Sequence, residues 1–250
     1  MIKVKKIQIP QLPTEKPRRL YVCLPRGYER SERRYPVLYM FDGHNVFYDS
    51  HATYGKSWGM KEYLKKSGLQ LIVVAVECNH EGFRRLNEYT PWSFSIRRVG
   101  TIEAQGRITM DWITKELKPE IDREYRTLPD REHTMIAGSS MGGLMSLFAA
   151  VEYNDVFSRS AALSPCLWVD PAEMRKMIRS HPLLPPTRIY MDMGDAEVDG
   201  HIRVLTGLFD AAKLLTAAGA DVAARVVPDA LHSEAFWEKR IPVFFDYLLG

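Results

Sequence analysis

The sequence predicts an α/β fold built on a mostly parallel sheet of about eight strands with helices on its faces. Short runs of β-branched and aromatic residues alternate along the chain with longer segments in which apolar residues recur at helical spacing. The runs at 36–41 and 69–77 are apolar on both faces, which is typical of buried parallel strands. No repeat or low-complexity linker interrupts the 250 residues, so we expect a single domain over residues 1–250.

The individual elements follow from these two periodicities. The predicted strands are Val4–Ile9, Arg19–Leu24, Pro36–Phe41, Leu69–Glu77, His133–Ala137, Arg159–Leu163, Arg188–Met193 and Asp221–Val227. The predicted helices are Trp58–Lys66, Arg107–Ile121, Met141–Glu152, Pro171–Ile178, Ile202–Ala218 and Ala235–Leu249. A turn rich in proline, threonine, glutamate and lysine joins the first two strands, so we expect them to form an antiparallel N-terminal pair.

Charge and hydropathy exclude several classes of protein. The 34 basic and 31 acidic side chains leave a net charge of +3 without a stripe dense in lysine and arginine, so we expect no nucleic-acid partner. The longest apolar run, Leu69–Val76, is far shorter than the roughly 20 residues of a membrane-spanning helix, so we expect no membrane partner. The first residues read as an alternating strand and not as an export signal, which favours a cytoplasmic location. The oligomeric state stays open.

The cysteine and histidine patterns do not predict a metal centre. Cys23, Cys78 and Cys166 are far apart and lack a C-x-x-C spacing, so we expect reduced and mostly buried thiols. The histidines form no H-E-x-x-H motif, and no cluster of carboxylates accompanies them. We therefore expect no metal and no cofactor.

The strongest motif is G-x-S-x-G at 138–142, where a predicted strand runs directly into a predicted helix. A serine on such a tight turn has a strained backbone, and the positions two before and two after it come too close together for side chains. Glycines occupy both positions when the turn is centred on Ser140, whereas a centre at Ser139 would place Ala137 and Met141 there. The pattern therefore predicts Ser140 as a catalytic nucleophile.

A serine nucleophile needs a base within hydrogen-bonding reach. His232 follows the last predicted strand and a short turn, and it fits the chain order of nucleophile, acid and histidine, so we expect it to be the base. The acid that orients the imidazole should follow the strand that ends at Met193. A glycine after that strand, with a carboxylate three residues later, selects Glu197, and Asp195 and Asp199 are the alternatives.

Two backbone N–H groups are expected to hold the negative charge of an oxyanion. Met141 opens the helix that follows the serine, where free N–H groups and the helix dipole favour negative charge. The second donor should come from the loop after the strand at 36–41, where Gly43 lets the backbone approach a substrate closely. This predicts the N–H of His44 as the second donor, with no proton-transfer role for its side chain.

A long segment without clear periodicity, from Cys78 to Gly100, interrupts the alternation of strands and helices. Loops of this length in compact proteins are usually binding loops. The candidate substrate-binding residues combine aromatic and cationic side chains, and they are Arg84, Arg85, Tyr89, Trp92, Trp168 and Trp237. Such a set can hold an aromatic or anionic group by stacking and ion pairing. In the alternative, Trp92 and Trp168 lie in the core and the arginines are solvated.

Several separated blocks of the sequence resemble one known family. The blocks are YPVLYMFDGHNVF, NEYTPW, ELKPEIDREYRTLPDREHTMIAGSSMGGLMSLFA, DVFSRSAALSPCLWV and DALHSEAFW, and they span most of the chain. They are similar to the esterase family of the α/β-hydrolase fold that includes esterase D, siderophore esterases, feruloyl esterases and mycolyltransferases. The resemblance implies a Ser-acid-His hydrolase without a cofactor. It places Ser140, His232 and Glu197 in the triad and the N–H groups of His44 and Met141 at the oxyanion.

Three differences separate the chain from particular branches of that family. Other branches use an aspartate as the acid, which leaves Asp195 and Asp199 open. The residues before Pro36 are too few for the N-terminal domain of the two-domain siderophore esterases. Mycolyltransferases act outside the cell, whereas no export signal is visible in this sequence.

Together these features predict a serine carboxylesterase that hydrolyses a small-molecule carboxylic ester through an acyl-enzyme. An aromatic acyl ester or a siderophore-type ester fits the candidate binding residues. Two alternatives use the same fold: an acyltransferase with the same triad, and a binding module without catalysis.

Overall fold

The computed structural model describes residues 1–197 and 202–250, and the side chains of residues 202–204 are outside that description. Its strands are β1 (Ile2–Ile7), β2 (Arg18–Cys23), β3 (Val37–Met40), β4 (Ile72–Val76), β5 (Phe94–Ile96), β6 (Gly100–Ile102), β7 (Thr134–Ser139), β8 (Arg159–Leu163), β9 (Arg188–Gly194) and β10 (Asp221–Val227). Eight of these strands form the central sheet in the order β1-β2-β4-β3-β7-β8-β9-β10. Strands β5 and β6 form a separate hairpin.

The sheet has the predicted mixture of strand directions. Strand β2 is antiparallel to both β1 and β4, and the other neighbouring strands of the sheet are parallel. This confirms the predicted fold class and the antiparallel N-terminal pair. The first strand begins at Ile2 and not at Val4, and it ends at Ile7. Ile9 lies beyond it because its carbonyl accepts a turn hydrogen bond from the N–H of Leu12 at 2.9 Å.

The helices of the described residues occupy the predicted segments with three differences: two predicted helices are each divided in two, and the helix Arg84–Glu88 was not predicted. They are α1 (Met60–Ser67), α2 (Arg84–Glu88), α3 (Gly106–Trp112), α4 (Lys118–Glu124), α5 (Met141–Glu152), α6 (Pro171–Ser180), α7 (Ile202–Ala217), α8 (Glu234–Glu238) and α9 (Ile241–Leu249). A π-helical turn, Ile113–Leu117, joins α3 to α4. The predicted helix at 235–249 is two helices, because Pro242 in the first turn of α9 has no N–H to continue a helix from α8. No helix within 1–197 or 202–250 has both the length and the apolar character needed to cross a membrane.

Two apolar layers cover the faces of the sheet. On one face, α5 packs with the helices on either side of it through residues such as Met110, Phe148 and Met177. On the other face, α1 and α9 contribute residues such as Met60 and Phe244. Helix α5 is buried from its first residue through Val151, as expected for a helix over the middle of a sheet. The loops that follow the parallel strands therefore meet at one exposed edge of the sheet.

The segment after β4 has more structure than its sequence predicts. It contains α2 and the β5–β6 hairpin, in which Phe94 pairs with Ile102. A buried ion pair fixes it to the sheet, because both terminal nitrogens of Arg18 donate to Glu88, each at 2.6 Å. The segment is therefore a region of regular secondary structure beside the sheet edge and not an irregular loop.

Candidate active site

Ser140 lies at the sharp turn between β7 and α5. Its backbone has φ 59° and ψ −122°, a strained conformation for a residue with a side chain. A Cβ added to Gly138 would lie 2.6 Å from the carbonyl oxygen of Gly142, and one added to Gly142 would lie 3.0 Å from Cβ of Phe41. The two glycines of the motif therefore permit the tight turn on which Ser140 is centred.

The hydroxyl of Ser140 lies next to a cysteine that the sequence reasoning did not connect with it. Its Oγ is 3.5 Å from Sγ of Cys166, and the N–H of Cys166 donates to the carbonyl of Ser140 at 3.1 Å. Burial raises the pKa of the Cys166 thiol, so the sulfur is a neutral neighbour of the hydroxyl. Among the residues that the structure describes, Ser140 Oγ has no other hydrogen-bonding partner.

His232 and Glu197 form a hydrogen-bonded pair. Nδ1 of His232 lies 2.5 Å from Oε2 of Glu197, and the glutamate side chain is 2% exposed. The other carboxylate oxygen accepts hydrogen bonds from the hydroxyl of Ser164 at 2.7 Å and from the N–H of Gly194. Burial acts to raise the pKa of Glu197, but the hydrogen bonds from His232, Ser164 and Gly194 outweigh it, and the pKa is lowered. The carboxylate is therefore ionised at neutral pH.

The two alternative acids have different positions. Asp195 is exposed, and its Oδ1 accepts a hydrogen bond from the N–H of Asp229 at 2.7 Å, so it closes the turn after β10. Asp199 lies outside the described residues. Of the acids that the structure describes, Glu197 alone contacts the His232 ring.

A buried polar network supports Glu197, and the sequence analysis missed it. Ser164 Oγ accepts hydrogen bonds from Trp237 Nε1 and from Arg240 Nη1, both at 3.0 Å. The same Arg240 nitrogen donates to Asp192 Oδ1 at 2.8 Å. Asp192 is the one acidic residue of β9 and lies inside the strand between two methionines, which is the one sequence signal that could have identified this network.

The proposed nucleophile and base share one edge of the sheet but are not hydrogen-bonded in this structure. Ser140 follows β7, Glu197 follows β9 and His232 follows β10, so all three come from the four adjacent strands β7 to β10. The His232 side chain is 44% exposed, and its Nε2 has no hydrogen-bonding partner among the described residues. Nε2 is therefore open to a proton from a neighbouring hydroxyl or from solvent.

The backbone N–H groups of His44 and Met141 lie at this edge and have no acceptor among the described residues. Gly43 lies against the neighbouring strand, where an added Cβ would be 2.6 Å from the carbonyl oxygen of Ala75. The His44 side chain is buried, and its Nε2 lies 3.0 Å from Oγ1 of Thr53. Burial lowers the pKa of His44 to about 4, so its imidazole is neutral at pH 7.

Of the candidate arginines and the candidate tyrosine in the segment after β4, one is exposed, and the other two hold a neighbouring loop. Arg84 is exposed, 3.6 Å from Glu81. Arg85 instead binds both carboxylate oxygens of Asp42 at 2.7 Å. Burial acts to raise the pKa of Asp42, but the Arg85 charge outweighs it, and the pKa is lowered. Tyr89 is buried, and its hydroxyl accepts a hydrogen bond from the N–H of Asp42 at 3.1 Å. Arg85 and Tyr89 thus hold the loop that carries the His44 N–H.

The three tryptophans among the candidate binding residues have three different environments. Trp92 is partly buried against the ring of Phe148. Trp168 is 54% exposed and contacts the ring of Phe94 at a centroid distance of 5.6 Å. Trp237 is buried and donates to Ser164, as described above. Trp168 is therefore the tryptophan of this set with a large surface free to meet a ligand.

The comparisons with known sequences identify a family. Residues 13–246 match the sequence model of the family described as Putative esterase. The chain is also 26% identical to the uncharacterised protein YbbA of Bacillus subtilis (strain 168) over 183 residues, which is 72% of this chain and 69% of that protein.

Two solved structures have the same fold. The IroE-like serine hydrolase from Shewanella oneidensis aligns with a TM-score of 0.79 at 20% identity, covering 99% of this chain and 79% of that one. The enterobactin and salmochelin hydrolase IroE aligns with a TM-score of 0.69 at 18% identity, covering 99% of this chain and 94% of that one. At these identities the two structures are evidence for the fold alone. The family match spans nearly the whole sequence, and the chain therefore belongs to the Putative esterase family and is a carboxylester hydrolase.

Proposed function

We propose that this carboxylester hydrolase is a serine esterase that forms an acyl-enzyme on Ser140. The observation that carries the proposal is the pairing of His232 with the buried Glu197 at the sheet edge where the strained Ser140 turn lies. A carboxylate bound to Nδ1 fixes the imidazole tautomer, with the proton on Nδ1 and a lone pair on Nε2. A serine at a strand-to-helix turn presents its hydroxyl outward.

In the first half of the reaction, Ser140 Oγ attacks the ester carbonyl carbon, and Nε2 of His232 accepts the hydroxyl proton. Negative charge develops on the carbonyl oxygen, where the N–H groups of His44 and Met141 donate to it. When the carbon–oxygen bond to the leaving group breaks, His232 returns the proton to the departing alcohol. The product bound to the protein is an ester of Ser140.

In the second half, a water molecule takes the place of the alcohol. His232 removes its proton, the hydroxide oxygen attacks the acyl carbon, and the bond to Ser140 breaks as the proton passes to Oγ. The free acid leaves, and the serine is regenerated. Glu197 keeps its negative charge throughout and stabilises the imidazolium that forms twice in each cycle.

The exposed side chains beside this edge favour an aromatic or anionic small-molecule ester. Trp168 lies two positions after Cys166, whose sulfur contacts the Ser140 hydroxyl, and about half of its surface is free to stack on an aromatic acyl group. Arg84 adds an exposed positive charge on the segment after β4. A siderophore-type ester combines these properties, and the name of the related IroE structure refers to two such substrates. The cytoplasmic location stays a prediction from the sequence.

The test is steady-state hydrolysis of a panel of acetyl, butyryl, feruloyl and catecholate esters by the wild type, Ser140→Ala and Ser139→Ala. We expect Ser140→Ala to lose about 10³-fold or more in kcat/KM and Ser139→Ala to stay close to wild type. Equal turnover by wild type and Ser140→Ala would refute the proposal. Added alcohol separates the acyltransferase alternative, because transfer would give a new ester where hydrolysis gives the free acid.

A further inference from the structure

A second cluster of reactive side chains lies beside the oxyanion loop, and the esterase chemistry does not use it. Strands β3 and β4 are parallel neighbours with Met40 opposite Ala75, so the loops that follow them emerge side by side. His44 lies on the first loop, and Cys78 and His80 lie on the second. A ring nitrogen of each histidine and the sulfur of Cys78 all lie within 4.8 Å of one another.

Each histidine of the cluster has one ring nitrogen already engaged. Nε2 of His80 lies 3.0 Å from Oε1 of Glu77, and Nε2 of His44 lies 3.0 Å from Oγ1 of Thr53. This leaves Nδ1 as the available nitrogen of both rings. In metal sites, a ligating histidine almost always binds such an outer partner through its other nitrogen, which fixes the ring and its tautomer. The two histidines are therefore already oriented as ligands are.

The nitrogen that His44 has available is a buried polar atom without a partner. His44 is 2% exposed, and among the residues that the structure describes its Nδ1 has no hydrogen-bonding partner. An unsatisfied buried polar atom destabilises a fold, so a ligand for it would stabilise this one. The ring of His44 lies 4.5 Å from the ring of His80, centroid to centroid, so the ring that carries the unpartnered atom is next to another member of the cluster.

The donor atoms of the cluster determine which class of metal ion it would bind. Two imidazoles and one thiolate suit Zn²⁺ and related borderline or soft cations, whereas Mg²⁺ and Ca²⁺ prefer oxygen donors. Ligands around tetrahedral Zn²⁺ lie about 3.5 Å apart, given bond lengths of about 2.0–2.3 Å. The donor atoms lie within 4.8 Å of one another, so the cluster has to contract to bind an ion, and the His80 side chain is 52% exposed and able to move. Its exposure also gives an ion a route from solvent.

We propose that His44, Cys78 and His80 bind one Zn²⁺ ion, with water in the fourth position. When the sulfur–zinc bond forms, the Cys78 thiol loses its proton to solvent, and the nitrogen lone pairs of the histidines complete the protein ligands. The site uses the His44 side chain, whereas the proposed esterase uses only its backbone N–H. The zinc proposal therefore stands or falls independently of the catalytic one.

The experiment is a titration of the metal-free wild-type protein with Co²⁺, followed by displacement with Zn²⁺. Cobalt reports its ligands, because a thiolate ligand gives a charge-transfer band in the near ultraviolet. We expect the band to saturate at one Co²⁺ per chain and to disappear when Zn²⁺ is added. Cys78→Ala should abolish the band, and His80→Ala should weaken binding at least about tenfold, as loss of a ligand or of its support does.

Two matched substitutions act as controls. Cys23→Ala removes a buried thiol on β2, and His181→Ala removes an exposed histidine after α6. Both should keep the band and the affinity of the wild type. A folded wild type without the band, or a band that survives in Cys78→Ala, would overturn the proposal. If Cys78→Ala fails to fold, His80→Ala still tests the proposal, because His80 is exposed and its loss should not prevent folding. An unchanged affinity of His80→Ala for Co²⁺ would overturn the proposal equally.

Discussion

His232 and Glu197 are 35 positions apart in the chain, and Nδ1 of the histidine lies 2.5 Å from Oε2 of the glutamate. The histidine is nearly half exposed, whereas the glutamate side chain is almost completely buried. One end of the pair therefore faces solvent, and the other end is held by the protein. This is the arrangement that a base needs when it must move protons from a fixed orientation.

The first prediction concerns the identity of the acid. Glu197→Gln keeps the shape of the side chain but removes the charge that stabilises the imidazolium, so kcat/KM for ester hydrolysis should fall by about 10²–10⁴-fold. Asp195→Asn is the matched control, because Asp195 closes a turn and does not contact His232. It should stay close to wild-type activity. The opposite ranking of the two variants would show that the acid has been misassigned.

A second prediction follows from the lowered pKa of Glu197 in the folded protein. A depressed carboxylate pKa contributes stability above the unfolded pKa, which is near the ordinary glutamate pKa of 4.5, and this contribution is lost as the pH falls through the folded pKa. The difference in free energy of unfolding between wild type and Glu197→Gln should therefore shrink on acidification below that value. Urea denaturation at a series of pH values measures it, and a difference that grows at low pH would contradict the assigned direction.

The third prediction concerns Ser164, which we regard as a positioning residue for Glu197. Ser164→Ala removes a hydrogen bond to the carboxylate and leaves Trp237 Nε1 without its acceptor. We expect kcat to fall about tenfold with KM nearly unchanged, and the free energy of unfolding to fall by about 1–3 kcal/mol.

Ser160→Ala is the control for this variant. Ser160 is a buried serine of β8, the strand that Ser164 directly follows, and its hydroxyl donates to the carbonyl of Ser146 at 2.9 Å, away from Glu197. It should lose stability without losing kcat. Equal kcat values for the two variants would mean that Ser164 acts through stability alone.

The fourth prediction concerns the buried ion pair that holds the segment after β4. Both side chains of the Arg18–Glu88 pair are nearly inaccessible to solvent, at 4% and 2% exposure. Glu88→Gln leaves the Arg18 charge buried and uncompensated, which should cost about 3–5 kcal/mol of unfolding free energy. Glu173→Gln breaks the exposed pair with Lys176 and should cost less than about 1 kcal/mol. Similar losses of unfolding free energy in the two variants would contradict the role of the Arg18–Glu88 pair in holding this segment.

The fold could be predicted from the sequence, and candidates for the triad could be selected from it, because both depend on local patterns. The strand periods, the glycines around Ser140 and the glycine three positions before Glu197 each determine local backbone geometry. Gly194 explains the last of these spacings, because its N–H donates to the carboxylate that the chain carries three residues later. The single-domain organisation and the catalytic roles stay predictions.

Side-chain partners across the sheet edge could not be predicted in the same way. Arg85 has a side chain of the type that binds an anionic substrate. It binds Asp42 instead, because a buried carboxylate needs a compensating charge. Trp237 likewise supports Ser164 from within the core. Cys166 looks like any buried thiol in the sequence, and only the packing places its sulfur against Ser140. These contacts join residues far apart in the chain, so the local periodicity of the sequence cannot predict them.

The central claim is that Ser140 carries the acyl group. The most direct test is to treat the protein with a fluorophosphonate, measure the intact mass and map the labelled peptide. We predict one adduct per chain on Ser140, none on Ser140→Ala and much slower labelling of His232→Ala. A stoichiometric adduct on another residue, or ester hydrolysis by a protein that takes no label at Ser140, would contradict the account.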